Sequence, residues 1–328
     1  MNILYTCDNN YVWLMGVSVI SLFENNRDVV DITVYLLGEN ISEENKCILY
    51  NISAKYDRKI VVTDVSKLKI PDSLVSDRWP MSAFTRLYAG DLLPIGVEKV
   101  LYLDCDTIIE GSISILENIE MKENIFMGVK DCVAKRYKRN IGISDYGVYL
   151  NAGVLLIDLN KLRKIDIKYV IDAYMNTYIR YISFADQDML NGIFNKKVGV
   201  LDSKFNVMTI DVEHSYEEII KLRKPTNFYT KKELENAIKN PVIIHYTTNM
   251  LVVRPWHINT NHPLSKLFVK YKQLSPWRDK SNGVMKFTSK ESIIIKTINI
   301  LPSSISLIIL GLIHAEIKPF LKSIKAKI

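Results

Sequence analysis

Cysteine is scarce. Cys7, Cys47, Cys105 and Cys132 are scattered through 328 residues, too far apart for a disulfide framework, and none forms the C-x-x-C pair of a zinc knuckle. They read as reduced thiols of a cytosolic protein. Glycine and proline are modest, at 13 and 10, which excludes collagen-like and low-complexity classes. The phosphate cradles G-x-x-x-x-G-K-[ST] and G-x-G-x-x-G are missing, so a bound diphosphate would need a cation and basic side chains instead. There is no G-x-S-x-G elbow, and neither Cys105 nor Cys132 has a His nearby in sequence. A serine or cysteine hydrolase therefore has no support. The opening Met1-Asn2-Ile3-Leu4-Tyr5 lacks the basic segment of a secretory leader. Long hydrophobic runs are lacking too: the longest apolar stretch, 305–313, is half the ~20 residues that a bilayer needs.

What is present is a core-forming composition, 48% hydrophobic and 24% charged, which rules out disorder. The length fits one large α/β domain with an appendage. Net charge is +7, but it is unevenly placed: residues 284–328 hold seven Lys and two Glu, leaving +2 for the first 283 residues. A nucleic-acid footprint needs a basic stripe on the folded body, so nucleic acid is not the expected partner. The expected division is a body over 1–277 and a basic tail over 278–328.

In the tail, Ile305, Ile308, Ile309, Leu312, Ile313, Ile317, Phe320, Leu321 and Ile324 recur at helical spacing, with Lys318, Lys322 and Lys325 beside them. Pro302 and Pro319 punctuate this helix. Such a basic amphipathic helix suits an anionic membrane surface. The other reading, a terminal helix packed back onto the body, stays open.

Along the body, strands are expected at 2–5, 32–37, 60–65, 100–103, 148–158 (interrupted at 151–153) and 242–244. Helices are expected at 11–23, 42–56, 83–89 and 186–194, with Ser42 as a cap. Strand alternating with helix implies a parallel sheet covered on both faces. Residues 275–278 close the body and 279–283 form a polar linker.

Four constellations carry chemistry. Asp104-Cys105-Asp106 follows the apolar strand 100–103, where open α/β sheets bind ligands. Its two carboxylates point to the same side, and they repel unless a cation such as Mg²⁺ or Mn²⁺ sits between them. A bare D-x-D arises by chance about once in such a chain, so a solvated acidic loop stays open. His245 ends the apolar strand 242–244; beside two carboxylates it would favour Mn²⁺, although a lone His there is also commonly structural. Asp8-Asn9-Asn10-Tyr11 ends the first strand. Its polar groups suit a base or ribose, with Tyr11 stacking, and suit a helix cap equally. Asp186-Gln187-Asp188 opens a helix, either as partners of the helix dipole or as groups beside a reacting carbon.

Together these segments resemble glycosyltransferase family 8, the retaining nucleotide-sugar transferases. The resemblance rests on residues 5–11, Phe84-Thr85-Arg86-Leu87, residues 99–106, residues 149–156, residues 186–191, and His245-Tyr246 with Arg254-Pro255-Trp256, in that order over about 1–277. It implies a GT-A fold: α/β, with a Rossmann-like, mostly parallel sheet flanked by helices. It also implies a cytoplasmic enzyme that takes a UDP-hexose, with Mn²⁺ (Mg²⁺ as the alternative) held by Asp104, Asp106 and His245.

The implied donor-binding set is Thr6, Asp8, Asn10, Tyr11, Arg86, Asp104, Cys105, Asp106, Asp131, Asn151, Ala152 and Arg254, with Asp186 and Gln187 at the reacting carbon. The implied acceptor is a saccharide or glycoprotein of a cell-surface polysaccharide pathway. One departure stands out: the family pattern H-Y-x-G-x-x-K-P-W here has a loop three residues longer, with Thr248 for the Gly and Arg254 for the Lys. The competing expectation is a metal-dependent phosphohydrolase or nucleotidyltransferase on a similar sheet.

Overall fold

The computed structural model describes residues 1–68, 81–249, 251–280, 283–288 and 300–326. Strand β1 (Asn2–Asp8) is buried along its middle and pairs in parallel with β2 (Thr33–Glu39) and β4 (Lys99–Leu103). β2 pairs in parallel with β3 (Lys59–Asp64). The helix Glu43–Lys55 between them is capped as expected, with Asn45 N donating to Ser42 Oγ at 3.2 Å.

β7 (Leu150–Asp158) runs antiparallel between β4 and β6 (Phe126–Lys130), and β8 (Val198–Val200) is parallel to β6. The sheet order is β3-β2-β1-β4-β7-β6-β8, so the sheet is mostly parallel. A small second sheet has the order β5-β10-β9, from Thr107–Ile109, Ile243–His245 and Val207–Met208.

The helix Val12–Asn25 is buried from Val12 through Phe23, because β1, β5 and the helix Ser265–Leu274 all pack on it. A helix apolar nearly all round suits that position. Its serines are satisfied inside: Ser18 Oγ lies 2.9 Å from Tyr5 OH and 3.0 Å from Thr107 Oγ1. Gly16 is required where Trp277 closes the body, since a Cβ there would lie 2.1 Å from the indole ring.

Two local expectations change. The helix expected at 83–89 is broken into Met81–Thr85, a 3₁₀ turn at Arg86–Tyr88 and Ala89–Leu92; the tighter turn re-aims Arg86 into the molecule. The expected interruption at 151–153 is absent, and β7 runs through it. Its antiparallel pairing brings the start of β7 beside the end of β4, with Asp104 N donating to Gly153 O at 2.8 Å.

The tail helix runs from Ser303 through a π segment at Ile313–Ile317 to Lys325. The wide π turn lies immediately before Pro319, which supplies no N–H to the ladder. One face packs on the body: Leu307 and Ala315 are buried, Glu316 pairs with Arg136 at 3.0 Å, and Asn140 Nδ2 donates to Pro319 O at 2.8 Å. The opposite face leaves Ile305, Ile308, Ile309, Leu312, Ile317, Phe320, Leu321 and Ile324 exposed. Counted with its polar residues, Ser304–Lys325 is long and apolar enough to cross a membrane, beyond what the apolar run alone indicates. Lys290, Glu291, Lys296, Lys327 and part of the expected linker (281–282) lie outside the described residues.

Candidate active site

The main sheet hands the chain to the small sheet at Asp104-Cys105-Asp106. β5 begins at Thr107, and His245 is its register partner on β10. This crossing brings Asp104, Asp106 and His245 together, with one ligand atom from each within 4.8 Å of the others. His245 Nε2 lies 3.6 Å from Asp104 Oδ2 and 3.2 Å from Asp106 Oδ1. Burial works against the His245 charge, but the two carboxylates outweigh it and the ring's pKa is raised. Burial also pushes the Asp106 carboxyl up, yet His245 and Arg254 pull it below the ordinary carboxylate range.

A chain of amides fixes which ring nitrogen faces the carboxylates. Asn151 Oδ1 accepts from Gly153 N at 3.0 Å and from Asn206 Nδ2 at 2.9 Å. Asn206 therefore turns its oxygen toward His245 Nδ1, 3.1 Å away. The neutral imidazole donates there and presents the Nε2 lone pair to the carboxylates, as a metal-ligating His requires. Two carboxylates and one imidazole suit Mn²⁺ and admit Mg²⁺. Gly153 passes so close that a Cβ would lie 2.1 Å from His245 Cε1 and 2.8 Å from Asp104 Oδ2.

Arg86 is the hub of the second layer. It is buried and pairs with Asp104 Oδ1 and Asp186 Oδ2, both at 3.0 Å. It also donates to Ala152 O at 2.6 Å and lies 4.2 Å over the Tyr102 ring. Burial raises Asp186 to about 6, with Arg86 opposing the rise. Ala185, just before it, adopts φ 32°, a left-handed conformation costing about 1–3 kcal/mol in a non-glycine residue. Asp188 holds that turn, accepting from Ser183 N, Phe184 N, Tyr137 OH and Tyr149 OH at 2.6–2.8 Å. Asp188 is thus the structural partner of the helix Ala185–Ile193, while Asp186 faces Arg86.

Gln187 is engaged at both ends. Its oxygen accepts from Ala152 N at 3.0 Å and Asn151 Nδ2 at 3.2 Å, and its nitrogen donates to Asp131 Oδ2 at 3.1 Å and Tyr149 OH at 3.2 Å. Asp131, Asn151, Ala152, Asp186 and Gln187 therefore form one connected wall beside the carboxylate–histidine cluster.

At the end of β1, Asp8 Oδ1 accepts from Asn10 N at 2.8 Å and Tyr11 N at 3.2 Å, which closes the turn before the helix Val12–Asn25; the N-cap of that helix is Tyr11, with no side-chain cap. Asn10 and Tyr11 are exposed at that edge. Thr6 is buried against Tyr102 OH at 3.2 Å, and Cys105 Sγ turns inward to Thr6 O at 3.7 Å. The side chains of Thr6 and Cys105 thus point into the sheet.

The lengthened loop still returns its cation to the cluster. Arg254 lies 3.8 Å from Asp106 Oδ2, donates to Thr248 Oγ1 and stacks 5.1 Å from the Trp256 ring. Met250, within the loop, lies outside the described residues.

The family model "Glycosyl transferase family 8" matches residues 2–260. The chain belongs to glycosyl transferase family 8. A "Putative glycosyltransferase" of Haemophilus influenzae is 29% identical over 270 residues, covering 80% of this chain and 74% of its own. A "Lipopolysaccharide 1,2-glucosyltransferase" of Escherichia coli is 27% identical, covering 85% and 79%. The crystal structure of the galactosyltransferase LgtC in complex with donor and acceptor sugar analogs superposes with a TM-score of 0.69 at 26% identity, covering 84% of this chain and 96% of that one. Another structure of LgtC is of an active-site variant in which Gln is replaced by Glu.

Membership of family 8 makes the chain a glycosyltransferase of GT-A fold and decides against the phosphohydrolase reading. Three residues of this family 8 site were not singled out by sequence reasoning. Gly153 lay inside a quoted motif, and its role needs the β4–β7 register. Tyr102 lay within the strand that precedes Asp104. Asn206 had no local signal, since only tertiary pairing brings it to His245.

Proposed function

We propose that this glycosyltransferase moves a hexose, glucose or galactose, from a UDP-sugar to a saccharide or glycoprotein acceptor, with retention at the anomeric carbon. The observation that carries the reading is the Asp104–Asp106–His245 cluster lying against the Arg86–Asp186–Gln187 wall. Asp104, Asp106 and His245 would hold Mn²⁺, or Mg²⁺, and that ion would supply Lewis-acid stabilisation of charge on a departing diphosphate. Arg254 supplies a second positive charge there; a guanidinium suits phosphate oxygens. Asp8, Asn10 and Tyr11 edge the uridine, and Arg86, Asp131, Asn151 and Ala152 surround the sugar. Thr6 and Cys105 support the uridine edge through the backbone, since their side chains point inward.

The reaction forms a bond from an acceptor hydroxyl oxygen to the anomeric carbon as the bond to the diphosphate oxygen breaks. The hydroxyl proton passes to the departing diphosphate oxygen, giving UDP. An oxocarbenium-like transition state is expected, as in glycoside hydrolysis. Gln187 is a poor nucleophile, because its carbonyl already accepts two hydrogen bonds. Asp186 is the better nucleophile of the two, but its pairing with Arg86 restrains it. Attack by the acceptor on the leaving group's face therefore fits best.

The glucosyl- and galactosyltransferase relatives that act on lipopolysaccharide support a cell-surface glycan as product. The exposed apolar face of the tail helix supports a cytoplasmic enzyme resting on the inner face of an anionic membrane. The test is UDP release from UDP-glucose, UDP-galactose and their N-acetyl forms with Mn²⁺, with and without acceptor. One donor should be turned over, and Asp106→Asn should abolish turnover. Full activity of that variant would remove the metal assignment.

A further inference from the structure

A cavity of about 760 Å³ lies between the tail helix and the body, within the size range of small-molecule sites. Its body-side wall includes Tyr137, Phe184 and Thr248. They adjoin the catalytic apparatus: Thr248 accepts from Arg254, Phe184 lies two residues before Asp186, and Tyr137 donates to Asp188, which holds the turn before Asp186. The other wall is the tail helix, with Leu307, Leu310 and Ala315 facing in. His314 also lines it, and burial lowers its pKa to about 4, so the ring is neutral at physiological pH.

The helix is seated there firmly. Lys322 Nζ donates to Ile182 O and Ser183 Oγ, both at 2.5 Å, in the segment leading to Asp186. Gly311 lets the helix touch the body backbone, since a Cβ there would lie 2.2 Å from Lys221 O.

We infer that this cavity seats the acceptor, that the tail helix is one of its walls, and that the site takes a saccharide carried on an apolar group. The inference rests on the glycosyl-transfer reading and extends it to the acceptor. The lining is mixed: Glu218, Arg223 and Asn249 can pair a sugar's hydroxyls, while Leu222, Leu307 and Leu310 form an apolar side that a bare sugar would leave unused. A saccharide with an alkyl or lipid aglycone uses both: the chain is buried against Leu307 and Leu310 and the sugar lies at the side lined by Ser183, Phe184 and Thr248. The outer face of the same helix exposes Ile308, Leu312, Phe320 and Leu321, so one helix meets the membrane surface on one side and the carried sugar on the other. The tail is therefore part of the acceptor site and not merely an anchor: its removal should impair transfer even to an acceptor free in solution.

The test uses the full chain and two probe pairs, octyl and methyl β-D-galactoside and octyl and methyl β-D-glucoside, titrated by calorimetry below the micellar concentration. The octyl member of at least one pair should bind at least about tenfold more tightly than its methyl partner, since burying only two of its extra CH₂ groups, at about 0.8 kcal/mol each, already gives that factor. Leu310→Trp, which narrows the apolar side of the cavity, should reduce that preference while leaving acceptor-independent UDP release within about twofold. Ile308→Asp, on the outer face, should keep it. Equal binding of octyl and methyl probes, or an undiminished preference in a folded Leu310→Trp protein, would overturn the inference. Should Leu310→Trp not fold, a diazirine-bearing octyl galactoside on the wild-type protein decides: labels in 303–326 and 132–137 support the wall, and labels confined elsewhere refute it. Failure of every UDP-sugar to release UDP would count against the catalytic reading and is measured separately.

Discussion

The amide oxygen of Asn206 lies 3.1 Å from Nδ1 of His245, and this contact decides which face of the imidazole the two aspartates meet. Asn206→Ala removes the acceptor and frees the ring to turn or change tautomer. Loss of such an outer-shell partner typically costs about 10–100-fold in metal affinity. A Mn²⁺ titration followed by electron paramagnetic resonance should show that weakening, with circular dichroism unchanged. Wild-type affinity in the variant would mean that Asn206 does not orient the ring.

Gly153→Ala makes a sharper demand. The added methyl would overlap His245 Cε1 and crowd Asp104 Oδ2, so ligand geometry must give way. Overpacking of this kind costs about 1–3 kcal/mol in stability. The Mn²⁺-dependent rate should fall on the order of a hundredfold, far more than the modest drop in Tm implies. A variant with full activity would show that the strand moves aside freely.

Arg254→Ala removes a cation 3.8 Å from Asp106 and its stacking on Trp256. A charge-assisted contact is worth about 1.5–3 kcal/mol, so donor kcat/KM should fall about 10–100-fold. Arg254→Lys should recover only part of this, because a point charge lacks the bidentate fork. Unchanged donor kinetics would take Arg254 out of the site and make the longer loop a structural variation.

Asp211 gives a pH prediction. It caps the turn below β9, accepting from Met208 N at 2.9 Å, while its buried Oδ1 has no hydrogen-bond partner among the described residues. Burial raises its pKa from 3.8 to about 7. The folded state therefore binds this proton more tightly than the unfolded state does. Its contribution to stability is full below the unfolded pKa and is lost as pH rises through about 7, for a total of about 4 kcal/mol. Asp211→Asn should raise Tm at pH 8 and leave it nearly unchanged at pH 4. A parallel Tm–pH curve for both proteins would contradict the assignment.

The tail's outer face predicts surface binding. Ile308→Asp combined with Phe320→Asp should cut partitioning onto anionic liposomes on the order of tenfold and leave UDP-sugar hydrolysis in solution intact. Undiminished partitioning would place membrane contact elsewhere on the chain.

Much of this was legible in the sequence, and the reasons differ by element. β1, β2 and β4 are apolar strands ended by polar breaks, so they could be read directly; Asp104 and Asp106 follow β4, and His245 ends the short apolar strand β10. The alternation could not show that β7 turns antiparallel between β4 and β6, because orientation depends on how the chain returns and not on its local pattern. That return is what sets Gly153 and Asn151 against the carboxylates. β5, β8 and β9 have at most three residues each, too short for a periodic signal. The exposed apolar stripe of the tail was visible, but the helix is apolar on its docked face as well, at Leu307, Leu310 and Ala315, so spacing alone could not say which face meets the body.

The central claim is one divalent cation held by Asp104, Asp106 and His245. Its most direct test is an anomalous difference map at the manganese edge from crystals grown with Mn²⁺ and UDP. The account predicts a single strong peak bonded to both carboxylates and to His245 Nε2, with the diphosphate completing its shell. A nucleotide-bound crystal with no peak there, or with the manganese on other residues, would contradict it.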